Sequence, residues 1–297
     1  MKEATFTIRN GRAARTRRTS VALSRPFCLL LAALAAPTGC RPESDAASAP
    51  SPRIAASSSY VAVAVRDVLG GEELVLVLAE PGMCPGHFDL RPSQVRQLRG
   101  SQLLLRFNFQ QSLDRRIRTG SEQGPLVVAV EVPGGMCEPA SYSAVCQQIA
   151  EALVSQGRIT REEADAILSK LAARMDELTA WMAGELQAAG LEGAPVLASG
   201  HQAAFCTSLG LKVVAKFSGA DTAQPSQIDQ AIKAGEGARV RLVVANRPEG
   251  RQLADALAER LGARVVVFDN FPTSNNAGAF DKLLRSNIRL LIEAHSR

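Results

Sequence analysis

The sequence predicts an α/β protein of two lobes, each with a mainly parallel sheet, joined by a long rigid linker helix. Three observations predict it. From Arg53 onward, apolar runs of strand length alternate with helical patterns, as strand–helix–strand units require. In the middle of the chain that alternation gives way to one amphipathic pattern running from Thr160 to about Ala189, and after Gly193 it resumes. The 297 residues suffice for two ordinary domains, and 46% hydrophobic with 21% charged is a globular composition.

The first segment, residues 1–39, has the build of a secretory signal: a basic start, an apolar stretch over residues 27–36 and then small residues. The apolar stretch is too short to span a bilayer. Pro37-Thr38-Gly39-Cys40 resembles the lipobox of bacterial lipoproteins, which implies that Cys40 becomes the lipidated first residue and anchors the protein to a membrane. Residues 40–52, rich in Ser, Ala and Pro, cannot bury enough apolar surface to fold and read as a tether.

Charge distribution removes one class of function. The chain carries +5, but seven basic residues against Glu3 alone give residues 1–25 a charge of +6, so the remainder stands at −1. A near-neutral mature chain lacks the electrostatic attraction that dominates phosphate-backbone binding, and nucleic acid is not an expected partner.

The N-terminal lobe is expected over 53–158. Residues 74–78 read as a strand preceded by Gly70-Gly71, which ends a helix; residues 103–107 and 126–130 read as the next strands, with helices over 92–98 and 110–117. The linker helix is expected over 159–190. Thr160-Arg161-Glu162-Glu163 is a capping box, and Ala164, Ile167, Leu168, Leu171, Met175, Leu178 and Met182 follow at three-and-four spacing. At 1.5 Å per residue it spans roughly 45 Å, longer than one small lobe needs. The C-terminal lobe, 191–297, has strand patterns at 196–198, 212–215, 242–245 and 264–268. Helices fall between them, Pro225 opening one and 251–261 forming another, and a last helix covers 279–294.

Ligands of α/β proteins sit in loops at the carboxyl ends of strands. Two of the three histidines occupy such loops, His87 in Pro81-Gly82-Met83-Cys84-Pro85-Gly86-His87 and His201 in Ser199-Gly200-His201. Cys137, in Gly135-Met136-Cys137-Glu138-Pro139, and Asp269 occupy two more. Imidazole, thiolate and carboxylate together form a transition-metal donor set that zinc accepts. His295 lies at the chain end as a solvated residue, and Cys146 and Cys206 suit small core positions.

At these residues the sequence resembles the metal-binding proteins of bacterial zinc and manganese ABC importers. Pro81-Gly82 through His87-Phe88-Asp89-Leu90-Arg91-Pro92 is similar to the segment carrying that family's first metal-ligand histidine. Ser199-Gly200-His201-Gln202 through Gly210-Leu211-Lys212-Val213-Val214 is similar to the segment in which a histidine opens a helix, and a histidine here implies the zinc branch. The run from Gly262 to Asp269 resembles the strand that ends in the carboxylate ligand. Where the family has a second histidine this chain has Gly135-Met136-Cys137-Glu138-Pro139, and Asn246 stands where an acid is common.

The resemblance implies a zinc-binding protein, with manganese or copper as alternatives, whose site lies in the cleft between the lobes. Its ligands would be His87, Cys137, His201 and Asp269, with Cys84 as a further candidate. Cys84 and Cys137 are equally open to a disulfide in an oxidising compartment. The implied partner is the transmembrane permease of an ABC importer, and the implied state a monomer in the periplasm or at the cell surface. The rival readings are a zinc- or thiol-dependent hydrolase and a non-metal surface lipoprotein or adhesin. Against the hydrolase, the chain lacks the HExxH, Gly-x-Ser-x-Gly and Walker motifs, and no catalytic residue is assigned.

Overall fold

The computed structural model describes residues 52–71, 73–86, 89–118 and 124–296. The leader, Cys40, most of the tether and His87 lie outside the described residues.

Among the described residues, eight strands form two four-stranded parallel sheets. The first contains β1 (Ile54–Ala56), β2 (Val75–Val77), β3 (Leu103–Phe107) and β4 (Leu126–Val130) in the order β2-β1-β3-β4. The second contains β5 (Pro195–Ser199), β6 (Lys212–Phe217), β7 (Leu242–Asn246) and β8 (Arg264–Phe268) in the order β6-β5-β7-β8. In both, the chain steps outward to one side and then returns past its start to continue on the other. Each sheet therefore has one switch point, between β1 and β3 and between β5 and β7, where adjacent loops part and leave a crevice.

Helices cover the sheets: α1 (Ser59–Leu69), α2 (Pro92–Arg99), α3 (Ser112–Arg118) and α4 (Pro139–Ser155) belong to the first half of the chain. After α5 (Arg161–Ala188) come α6 (Ala203–Ser208), α7 (Pro225–Ala238), α8 (Gln252–Leu261) and α9 (Ala279–Ser296). The linker helix starts where the capping box places it. The Thr160 side chain accepts from the Glu163 N–H at 3.2 Å, and Glu163 Oε2 accepts from the Thr160 N–H at 2.8 Å.

Strand alternation decides which side chains meet across the two lobes. Leu103 and Leu105 face one cluster while Leu104 faces another, and Val196 and Ala198 likewise part from Leu197. The inner faces share one continuous core that takes residues from β1, β3, β5 and β7 together with Leu171, Met175, Leu178 and Met182 of α5. Phe280, from α9, stacks on Tyr142 of α4 with ring centroids 3.9 Å apart and meets Tyr60 of α1 edge-on at 5.7 Å. An apolar, buried interface of this kind resists wide opening, because native packing density makes separation of its halves costly.

One buried acid ties the helices together. Asp67, on α1, has a side chain only 1% exposed and pairs with Arg174 of α5. It also accepts from the Tyr142 hydroxyl at 2.7 Å and from the Gly278 N–H at 2.8 Å. The same carboxylate thus holds α4, α5 and the approach to α9.

Candidate metal-binding cleft

The strand-end loops of both sheets border one cavity of about 470 Å³. Cys84, Pro85, Phe109 and Gly134 to Met136 line it from the first half of the chain; His201, Asn246, Glu249, Asn270 and Phe271 line it from the second. Two hydrogen bonds cross this boundary: the Gly82 N–H donates to Pro272 O at 2.9 Å, and the Arg66 side chain of α1 donates through Nη1 to Asn275 O at 2.6 Å.

His201 stands just past β5, on the turn that leads into α6. Its side chain is 66% exposed to the cleft, and its Nε2 lies 3.5 Å from Glu249 Oε1. The buried Ser199 hydroxyl donates to Glu249 Oε2 while accepting from the His201 N–H at 3.3 Å. One serine therefore fixes both the imidazole's backbone and the carboxylate facing it. Beneath them, Gln202 Nε2 donates to Asn270 Oδ1 at 2.7 Å and to Asn246 Oδ1 at 3.2 Å, a buried amide floor joining the ends of β5, β7 and β8.

Asp269 and Cys137 also come together, though not through carboxylate and thiol. The Cys137 thiol donates to Asp269 O at 3.2 Å. The Asp269 main chain is held by Asn287 of α9, whose amide accepts from Asp269 N–H at 3.0 Å and donates to Asp269 O at 2.9 Å. The Asp269 carboxylate pairs with Arg247. Cys137 is buried. Burial, and after it the neighbouring Cys206, Asp269 and Glu138, push its thiol up and keep it protonated near neutrality. Cys84 and Cys137 are both free thiols, so the disulfide alternative is not the state observed; both pack beside the shared core, and Cys84 also reaches the cavity wall. Cys146 and Cys206 are buried among apolar neighbours, and His295 is exposed.

Of the residues singled out in the sequence, His201 and Cys84 thus share the cavity, and Cys137 and Asp269 meet beside it. Among the described residues no three His, Cys, Asp or Glu groups converge closely enough to hold a metal ion. The sequence reading did not single out Glu249. Its only signal is an acid three residues beyond Asn246, displaced along the turn that follows β7.

The buried thiols make the fold sensitive to alkali. Burial raises Cys137 and Cys146 and pushes Cys206 up to about 12. A folded-state value above the unfolded one, near 8.5 for a thiol, gives stability that is fully present below that pH and is lost as the pH rises through the folded value. Each such thiol removes about 1.4 kcal/mol per pH unit in that window, or about 4 kcal/mol for three. Urea unfolding at pH 7.5, 9 and 10 should show stability falling steeply above pH 8.5, and replacing Cys206 with alanine should flatten the slope by about a third. A midpoint independent of pH would contradict the buried placement of these thiols.

Comparison with known proteins accords with this architecture. Residues 54–294 match the family model described as zinc-uptake complex component A, periplasmic. No curated protein sequence matches the chain. A periplasmic metal-binding protein from Candidatus Liberibacter asiaticus is similar in structure, with 12% identity, a TM-score of 0.67, and coverage of 82% of this chain and 98% of that one. The laminin-binding protein of Streptococcus agalactiae, described as an adhesin with metal-transporting activity, is similar at 13% identity and a TM-score of 0.65, covering 82% of this chain and 98% of its own. A ZnuA crystal structure is similar at 15% identity and a TM-score of 0.66, with the same coverage. At these identities the likeness is one of fold.

Proposed function

Because the chain belongs to the family of periplasmic zinc-uptake component A proteins, solute-binding proteins of metal importers, we propose that it captures a transition-metal ion, zinc by preference, and delivers it to the permease of an ABC importer. The observation that carries this reading is the placement of His201 on one wall of the inter-lobe cavity and Cys84 on the other. His87, three residues beyond Cys84, is the proposed first ligand from that wall, so the ion would bridge the lobes.

For Asp269 to join the ion it would have to exchange Arg247 for it, and Cys137 would have to give up a proton that its burial holds tightly. The Cys137 step favours binding at higher pH, as ligand deprotonation requires. The continuous core and the length of α5 favour a small tilt with loop ordering over a wide clamshell motion. Release would follow when the permease parts the ligand loops. The leader and Cys40 would export the protein and hold it, as a monomer, at a membrane face.

The test is elemental analysis of the untagged domain from Pro52 onward, purified with thiols reduced, followed by titration with zinc, manganese(II) and copper(I). One tightly held zinc per chain is the expected result. Tighter binding of manganese or copper would retain metal capture and change the cargo. No metal, retained or rebound, would favour the non-metal surface lipoprotein.

A further inference from the structure

We infer that Glu249 supplies the carboxylate ligand of the cleft, beside His201, in place of the acid at the end of β8. The inference rests on the metal-capture reading and reassigns its carboxylate ligand from Asp269 to Glu249.

Topology is the first reason. His201 leaves the end of β5 and Glu249 the end of β7, so the two residues flank the switch point of the second sheet, where an open α/β sheet exposes its binding crevice. Asp269 follows β8, the edge strand, one position farther out.

Engagement is the second. The Asp269 carboxylate is already neutralised by Arg247, whereas Glu249 meets no arginine or lysine among the described residues, and its ion-pair partner is the His201 imidazole. A carboxylate and an imidazole 3.5 Å apart in the wall of a cavity are close enough for one ion to bind both once the imidazole is neutral. That pairing is the beginning of a zinc shell. The Ser199 hydroxyl on the other carboxylate oxygen is the hydrogen bond that commonly orients a metal-ligating carboxylate.

Backbone construction is the third reason. Residues Arg247–Glu249 form a single 3-10 turn, and Gly250 closes it at φ 76° and ψ −179°, a conformation essentially confined to glycine. On the other side Gly219 lets the chain after β6 lie against Glu249: a Cβ there would stand 3.3 Å from Glu249 Cβ. The side chain is thus held from both sides with its carboxylate in the cleft wall.

Zinc affinity of the domain from Pro52 onward, measured by competition with a chromophoric chelator, tests the assignment. Glu249→Gln should weaken binding by on the order of a hundredfold, the share of one ligand in a four-ligand site, while Asp269→Asn stays within a few-fold of wild type. Glu249→Cys loaded with cobalt(II) separates ligation from mere orientation of His201. A new sulfur-to-cobalt charge-transfer band, above that of the wild-type domain in which Cys84 and Cys137 are present, is expected only if residue 249 bonds the metal. Wild-type affinity in Glu249→Gln, or no added band in Glu249→Cys, would overturn the assignment while leaving metal capture standing. A wild-type domain that binds no zinc would remove metal capture and the assignment with it.

Discussion

Replacing His201 with alanine is expected to lower zinc affinity by about a hundredfold while leaving the metal-free protein's melting temperature unchanged. Structural zinc sites contribute about 10–16 kcal/mol, so one ligand in four is worth on the order of 3 kcal/mol, or two decades in the dissociation constant. The fold is indifferent because the imidazole is 66% exposed and its one ion pair, with Glu249, is solvent-accessible. A chelator-competition titration, with thermal unfolding in EDTA as the control, reads both quantities. Unchanged affinity would remove His201 from the site. A lower melting point without metal would mean that its role is structural.

The second large effect concerns the fold. Asp67→Ala should destabilise the protein by about 3–5 kcal/mol, because it leaves Arg174 and the Tyr142 hydroxyl without their buried partner. For a domain of this size that corresponds to a fall of roughly 10 °C or more in melting temperature. The effect should reach beyond α1, since the same carboxylate accepts from Gly278 ahead of α9. Differential scanning calorimetry on Asp67→Ala and Asp67→Asn checks it, the amide recovering part of the loss by keeping its hydrogen-bonding shape. A shift below about 1 kcal/mol would mean that solvent replaces the network at little cost.

Much of the architecture was legible because its signals are local. The linker helix declares itself through the capping box and the spacing of Leu171, Met175, Leu178 and Met182, all buried in the shared core. The strands β3, β4, β7 and β8 are runs of aliphatic residues that length and flanking glycines mark off. Strand β1 escaped notice because Ile54-Ala55-Ala56 is three residues long and two of them are alanine. It sits inside the sheet through pairing with β2 and β3, a tertiary fact that no window of sequence contains.

The site divides in the same way. That His201 and Cys84 lie on strand-end loops follows from sequence position, and both reach the cavity. Where a side chain points from such a loop does not follow. Asp269 and Asn270 are neighbours in the chain, yet the acid pairs with Arg247 while the amide lines the cleft. Glu249 was invisible because its importance comes from strand order: only after β7 is seen beside β5 does an acid on the β7 loop stand opposite His201.

The most direct test of the central claim, a metal ion held between the lobes, is an anomalous difference map at the zinc absorption edge from crystals of the domain grown with zinc. The account predicts one strong peak in the cavity bordered by Cys84 and His201, about 2.0–2.1 Å from an imidazole nitrogen of His201. A map with no peak there, or with zinc bound only at surface residues away from the cleft, would contradict it.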